Sequence, residues 1–215
     1  MKRGKFISVE GIEGVGKSTN IDFIKTMLSD AGREVIITRE PGGTDLAEQI
    51  RELVLKPEVE IPTITELLLV FAARAAHVAQ KIRPAVEEGT WVVCDRFTDA
   101  TLAYQGGGRR VDTGLIYQLA AVAHGDLWPD LTLLLDAPVS EALARAHSRS
   151  SPDRFEREDR PFFERVRQTY LDLARDHPNR MCLIDASQPL DRVQSRLAAA
   201  INSLLRTNRA ETASQ

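Results

Sequence analysis

Residues Gly11–Ser18 read GIEGVGKS and satisfy G-x-x-x-x-G-K-[ST]. The flanks make the pattern restrictive, because Phe6–Glu10 reads as a strand and the chain from Thr19 onward reads as a helix. A glycine-rich turn between strand and helix lets backbone N–H groups close around an anion, and the helix N-terminus adds its positive end. This order predicts a nucleoside-triphosphate loop formed by Gly11, Ile12, Glu13, Gly14, Val15, Gly16, Lys17, Ser18 and Thr19. In such a loop Lys17 reaches the β- and γ-phosphates and the Ser18 hydroxyl coordinates Mg²⁺.

The rest of the chain alternates short apolar runs with longer amphipathic segments. Strands are expected at Phe6–Glu10, Glu34–Thr38, Trp91–Asp95, Leu131–Asp136 and Met181–Asp185. Helices are expected at Lys17–Ala31, Thr44–Leu55, Ile64–Glu88, Thr113–Ala123, Ser140–Ala146, Pro161–Asp176 and Leu190–Leu205. Strands separated by helices predict an α/β fold, a five-stranded parallel sheet flanked by helices. Leu131–Leu135 is apolar throughout, as a central strand buried on both faces requires. Gly32 and Gly89 read as helix C-terminal caps, and Pro161 opens a helix. No repeat or low-complexity linker divides the chain, which predicts one domain over residues 1–206 and a frayed polar tail over 207–215.

Composition narrows the class. Lys+Arg is 28 against Asp+Glu 31, a formal net charge of −3, which offers no general attraction to nucleic acid or an anionic membrane. Cys94 and Cys182 are too few for a disulfide framework or a four-ligand zinc site. MKRGKFISVEG lacks the apolar stretch of a signal peptide, and no window approaches the length of a membrane span, so the expected compartment is the cytosol. The chain contains neither N-K-x-D nor an S-G-G-Q-type signature, so a guanine-reading switch and a transporter ATPase are poorly supported. A small phosphotransferase is the best class, with an idle nucleotide-binding switch as the rival.

Three further motifs narrow it to a family. Thr38–Thr44 reads TREPGGT, Asp95–Phe97 reads DRF, and Tyr104–Arg109 reads YQGGGR. With the Glu-containing loop, this order resembles bacterial thymidylate kinase, from about Phe6 to Leu205. The resemblance implies a P-loop NTPase fold of the nucleoside-monophosphate-kinase type with a short lid, about residues 145–160. It implies phosphoryl transfer from ATP to dTMP with Mg²⁺, and a homodimer. A kinase acting on another deoxynucleoside or its monophosphate stays open as the alternative.

The resemblance also implies roles. Glu40, Pro41, Arg51, Phe71, Arg74, Arg96, Thr101 and Tyr104 would bind dTMP. Arg51 would contact the acceptor phosphate, Arg74 a thymine carbonyl, Thr101 the thymine edge and Tyr104 the sugar. Family members carry a stacking aromatic four residues before this arginine, whereas Val70 stands there in this chain and Phe71 is one residue over. Arg96 would bridge donor and acceptor phosphates, Asp95 would join Ser18 in the metal and water shell, and Glu13 would meet the sugar 3′-hydroxyl. A carboxylate beside a triphosphate is repelled, so Glu13 should face away from ATP. Gly14 stands where some relatives place a catalytic arginine, which moves that role to the lid. Arg149 matches the lid arginine, with Arg145 and Arg154 in reserve, and Arg145 is also expected near ATP. Arg145–Arg167 carries seven arginines and five acidic residues, and within it the stretch RAHSRSSPDRFERED lacks clean periodicity and reads as mobile. The four histidines share no spacing and receive no chemistry.

Overall fold

A computed structural model describes residues 3–147 and 153–213. The strands are β1 (Phe6–Glu10), β2 (Val35–Arg39), β3 (Trp91–Asp95), β4 (Leu131–Asp136) and β5 (Met181–Asp185). They form one parallel sheet in the order β2-β3-β1-β4-β5. The helices are α1 (Lys17–Asp30), α2 (Asp45–Leu55), α3 (Thr63–His77), α4 (Arg83–Glu87), α5 (Thr98–Thr101), α6 (Thr113–Ala123), α7 (Val139–His147), α8 (Arg160–Asp176) and α9 (Leu190–Ala213). Two π-helical stretches, Val78–Ile82 and Leu102–Gly108, continue α3 into α4 and extend α5.

Side-chain alternation along the strands gives the sheet a core on each face. Ile7, Val9, Trp91, Val93 and Leu133 belong to the larger cluster, and Phe6, Val92 and Cys94 to the smaller. Each strand ends on a charged residue: Glu10, Arg39, Asp95, Asp136 and Asp185. Register places Asp95 opposite both Val9 and Arg39, so the acidic and basic ends gather at one edge. Consecutive crossovers diverge on either side of β1, and such a switch point opens a crevice at the strand carboxyl ends. The glycine-rich loop leaves β1 there.

Two expectations change. The chain was expected to leave helix after Leu205, yet α9 runs to Ala213. Arg206, Arg209, Ala210 and Glu211 are good helix formers, and local propensity carries the helix on. The expected mobile stretch is also not free over its second half. Arg154 N–H donates to Leu55 O, and Asp153 Oδ1 accepts from the N–H groups of Phe155 and Glu156, so this turn is docked on α2. Arg149 lies outside the described residues. Among those described, no helix is long and apolar enough to cross a membrane.

Candidate active site

Two clefts open at the strand ends and share a wall. One, about 550 Å³ of empty space, is lined by Glu40, Pro41, Val70, Arg74, Phe97, Thr101, Tyr104, Gln105 and Phe155. The other, about 700 Å³, is lined by Gly14, Gly16, Lys17, Ser18, Asp95 and, on its far side, Ala146 and Glu156. Glu13, Arg51, Arg96 and Asp153 line both.

The second cleft is built on the glycine-rich loop. Lys17 is buried, and its Nζ donates to Gly11 O (3.0 Å) and Ile12 O (3.1 Å). Burial, and then the nearby Arg96 charge, push its ammonium down to about 8. Gly14 has φ 76°, and a Cβ there would overlap the Ala142 carbonyl of α7. No arginine fits at residue 14 while α7 rests on the loop. Ser18 is exposed, and Asp95 Oδ1 is buried without a hydrogen bond, 3.6 Å from Arg96 Nη1. A hydroxyl and a carboxylate oxygen without a hydrogen bond, on two residues lining one cleft, are oxygen donors suited to Mg²⁺. Ile12 and Val15 are core residues, so the loop meets a ligand through their backbone. Thr19 is exposed and does not line the cleft. Arg145 donates to Ala186 O (3.2 Å) and Glu141 (3.3 Å) and is not part of the cleft lining.

Arg96 sits at the junction with φ 67°, a conformation that costs a non-glycine residue energy. Hydrogen bonds hold it there: its N–H donates to Val9 O, its carbonyl accepts from Cys94 Sγ, and the next N–H donates to Glu10 Oε1 at 2.7 Å. Glu10 is fully buried and its other oxygen accepts from Tyr170 (2.8 Å). Burial, and next the Asp99 charge, push its carboxyl up to about 8. The Arg96 guanidinium donates to Glu13 Oε1 (2.7 Å) and Tyr104 Oη (3.0 Å), and Tyr104 donates to Glu13. The Glu13 carboxylate is thus engaged with Arg96 and with Tyr104 of the first cleft. Arg51 is held by the Pro41 carbonyl at 2.8 Å.

The first cleft is made of core side chains. Arg74, 2 % exposed, donates to Glu40 Oε2 (2.6 Å) and Phe97 O (3.2 Å). Burial alone would raise the Glu40 carboxyl, but Arg74 and His77 outweigh it and hold it low. Glu40 is therefore committed to Arg74 and His77 and aims the guanidinium. His77 Nδ1 lies 3.0 Å from Glu40 and Nε2 lies 2.7 Å from Thr38 Oγ1. Two buried polar atoms of this lining have no partner, Arg74 Nη1 and Thr101 Oγ1.

Phe71 is a correction. Val70 lines the cleft and Phe71 does not, because one helical step turns the side chain by about 100°. Its ring packs under the Arg74 guanidinium at 4.8 Å and so belongs to the core. The aromatic groups on the cleft are Phe97, Tyr104 and Phe155 instead.

The sequence reading missed five contributors: Glu10, Glu66, His77, Gln105 and Phe155. Two carried a signal. An acid closing the apolar strand before the loop marked Glu10, and His77 lies three residues from Arg74 on one helix face. The other three depend on contacts distant in sequence.

The thymidylate kinase family model matches residues 9–197. The chain belongs to the thymidylate kinase family. It is 55% identical over 205 residues to the thymidylate kinase of Methylococcus capsulatus (strain ATCC 33009 / NCIMB 11132 / Bath), covering 95% of this chain and 98% of that one. The thymidylate kinase of Pseudomonas putida (strain W619) is 55% identical over 201 residues, 93% of this chain and 97% of the relative. Among solved structures, thymidylate kinase from Ehrlichia chaffeensis superposes with TM-score 0.75 at 32% identity, covering 93% of this chain and 99% of that chain. The five-stranded parallel sheet is therefore that of a thymidylate kinase, a nucleoside monophosphate kinase and phosphotransferase.

Proposed function

We propose that this chain transfers the γ-phosphoryl group of ATP to dTMP, giving ADP and dTDP, with dTMP in the first cleft and the ATP phosphates in the second. The observation carrying the assignment is the shared wall, where Arg51 and Arg96 line both clefts. Two cations on the wall between the two clefts suit in-line transfer, which asks for alignment and charge neutralisation more than covalent chemistry. The acceptor phosphate has a second pKa near 6, so it is largely ionised at pH 7 and needs no general base. An acceptor phosphate oxygen forms the new bond to the γ-phosphorus as the bridging bond to ADP breaks. Lys17 exchanges its two loop carbonyls for phosphate oxygens, and Arg96 and Arg51 stabilise the moving charge. Arg149 adds a further positive charge from the lid.

We infer a Mg²⁺ ion held by Ser18 and Asp95 with phosphate oxygens, which would neutralise the triphosphate. For the acceptor, Arg74 Nη1 suits a base carbonyl, Thr101 the base edge and Tyr104 the sugar face. The lid is assigned to about residues 145–160 of a single domain. A cytosolic homodimer is part of the same reading. Leu46 and Leu53 on α2, Ile64 and Leu68 on α3, and Tyr117 and Val122 on α6 leave large apolar side chains exposed on helices packed together. Light scattering after size exclusion tests the dimer, and a monomer at micromolar concentration would refute it.

A coupled ADP-release assay with dTMP, dUMP, dCMP and thymidine tests the reaction. Fastest turnover is expected with dTMP, and a faster rate on any other acceptor overturns the substrate assignment.

A further inference from the structure

Beside the nucleoside cleft lies a carboxylate that phosphoryl transfer does not use. Glu66, in the first turn of α3, is fully buried. Its Oε1 accepts from Gln105 Nε2 at 2.8 Å. Arg109 approaches Oε2 at 3.3 Å and Arg154 pairs with it at 2.7 Å. Arg154 also donates to Val54 O at 2.7 Å, and its guanidinium lies 4.6 Å over the Phe155 ring that walls the cleft. One anion therefore ties α3, the Leu102–Gly108 stretch and the docked turn after residue 152 together.

The consequence falls on Gln105, which lines the cleft and is itself buried. A carboxamide is nearly symmetric in shape, and only its hydrogen-bond partners decide which way it faces. A carboxylate flanked by two guanidinium groups can only accept, so it takes the Nε2 end. The carbonyl oxygen remains as the group this amide offers a ligand. Arg74 Nη1, unpartnered in the same cleft, offers a donor. The lining thus has one acceptor and one donor of fixed sense. A pyrimidine with an N–H at position 3 and a carbonyl at position 4 matches them. Cytosine, with a bare N3 and an amino group, opposes donor to donor and acceptor to acceptor.

We propose that Glu66 is a positioning residue for base selection: it locks the Gln105 amide with its carbonyl toward the nucleoside. This rests on the dTMP reading above. The test compares kcat and KM for dTMP, dCMP and N3-methyl-dTMP in the full chain and in Glu66→Gln, whose own amide can present either end to Gln105. The preference for dTMP over both analogues is expected to fall at least about tenfold, mainly through KM for dTMP, with kcat at saturation changing less. Arg154→Gln leaves Gln105 and Arg109 on the carboxylate and is expected to raise KM while keeping both preferences. Unchanged preferences in Glu66→Gln overturn the proposal, as does an equal loss in Arg154→Gln. If Glu66→Gln does not fold, Glu66→Asp decides, because its acceptor-only carboxylate should keep the preferences and their loss overturns the idea. An unmodified chain that fails to phosphorylate dTMP sinks the parent reading instead, and does so before any variant is made.

Discussion

The nucleoside cleft and the phosphate cleft meet at Arg51 and Arg96 but are built by different means. The nucleoside cleft is a cut through the core, with Arg74 locked by Glu40, Glu40 by His77, and His77 by Thr38. The phosphate cleft is built on a backbone loop, and its principal cation is folded back onto two loop carbonyls. One is organised by its own side chains; in the proposed reaction the other exchanges internal hydrogen bonds for phosphate contacts. Selectivity for a base requires fixed donors and acceptors, whereas charge stabilisation during transfer requires cations able to follow the phosphate.

Breaking each side should give a different signature. Lys17→Ala strikes the phosphate side and is expected to cost about 10⁴-fold in turnover while dTMP affinity barely changes, read by single-turnover rates and dTMP titration calorimetry. A parallel loss of dTMP binding would erase the distinction between the clefts. Arg74→Met strikes the nucleoside side and leaves Glu40 buried without its cation. Stability should fall by about 3–5 kcal/mol in urea denaturation, with a large rise in KM for dTMP and ATP affinity preserved. Unchanged stability would mean that the Arg74–Glu40–His77 chain is not what organises the cleft.

Arg149→Ala is expected to lower turnover by about 10²–10³-fold, far more than dTMP affinity. Unchanged turnover would move the role to another arginine, although Arg154 is already bound to Glu66 and Arg145 to Glu141. The smallest effect is that of pH. Lys17 is charged below about 8 in the free protein, so ATP affinity should be level below that pH and fall by up to about tenfold per unit above it. Titration of dTMP should lack that step. If both ligands share it, the two clefts are coupled through a group other than Lys17.

Strand positions were readable to within a residue, because apolar runs between helical periods leave little choice of register. The glycine-rich loop was readable for the same reason: its residues are contiguous and their job is backbone geometry. Within the first cleft, Arg74, Thr101 and Tyr104 were named from the family resemblance. Their supports were not, since Glu66 meets Gln105 across 39 residues and Arg154 meets Val54 across 100. Phe71 shows the limit of counting along a helix. A residue one step from the expected position was expected to bind dTMP and packs in the core instead.

The sequence by itself determined the α/β order, the phosphate loop and the residue types that a nucleotide kinase needs, because these follow from local periodicity and contiguous motifs. Tertiary structure alone decided which side chains aim and which are aimed. Glu40, His77 and Glu66 act only through partners brought beside them by the packing of α3 on its neighbours. A carboxylate buried against arginines cannot be told from a solvated surface charge until burial removes the water that would otherwise satisfy it.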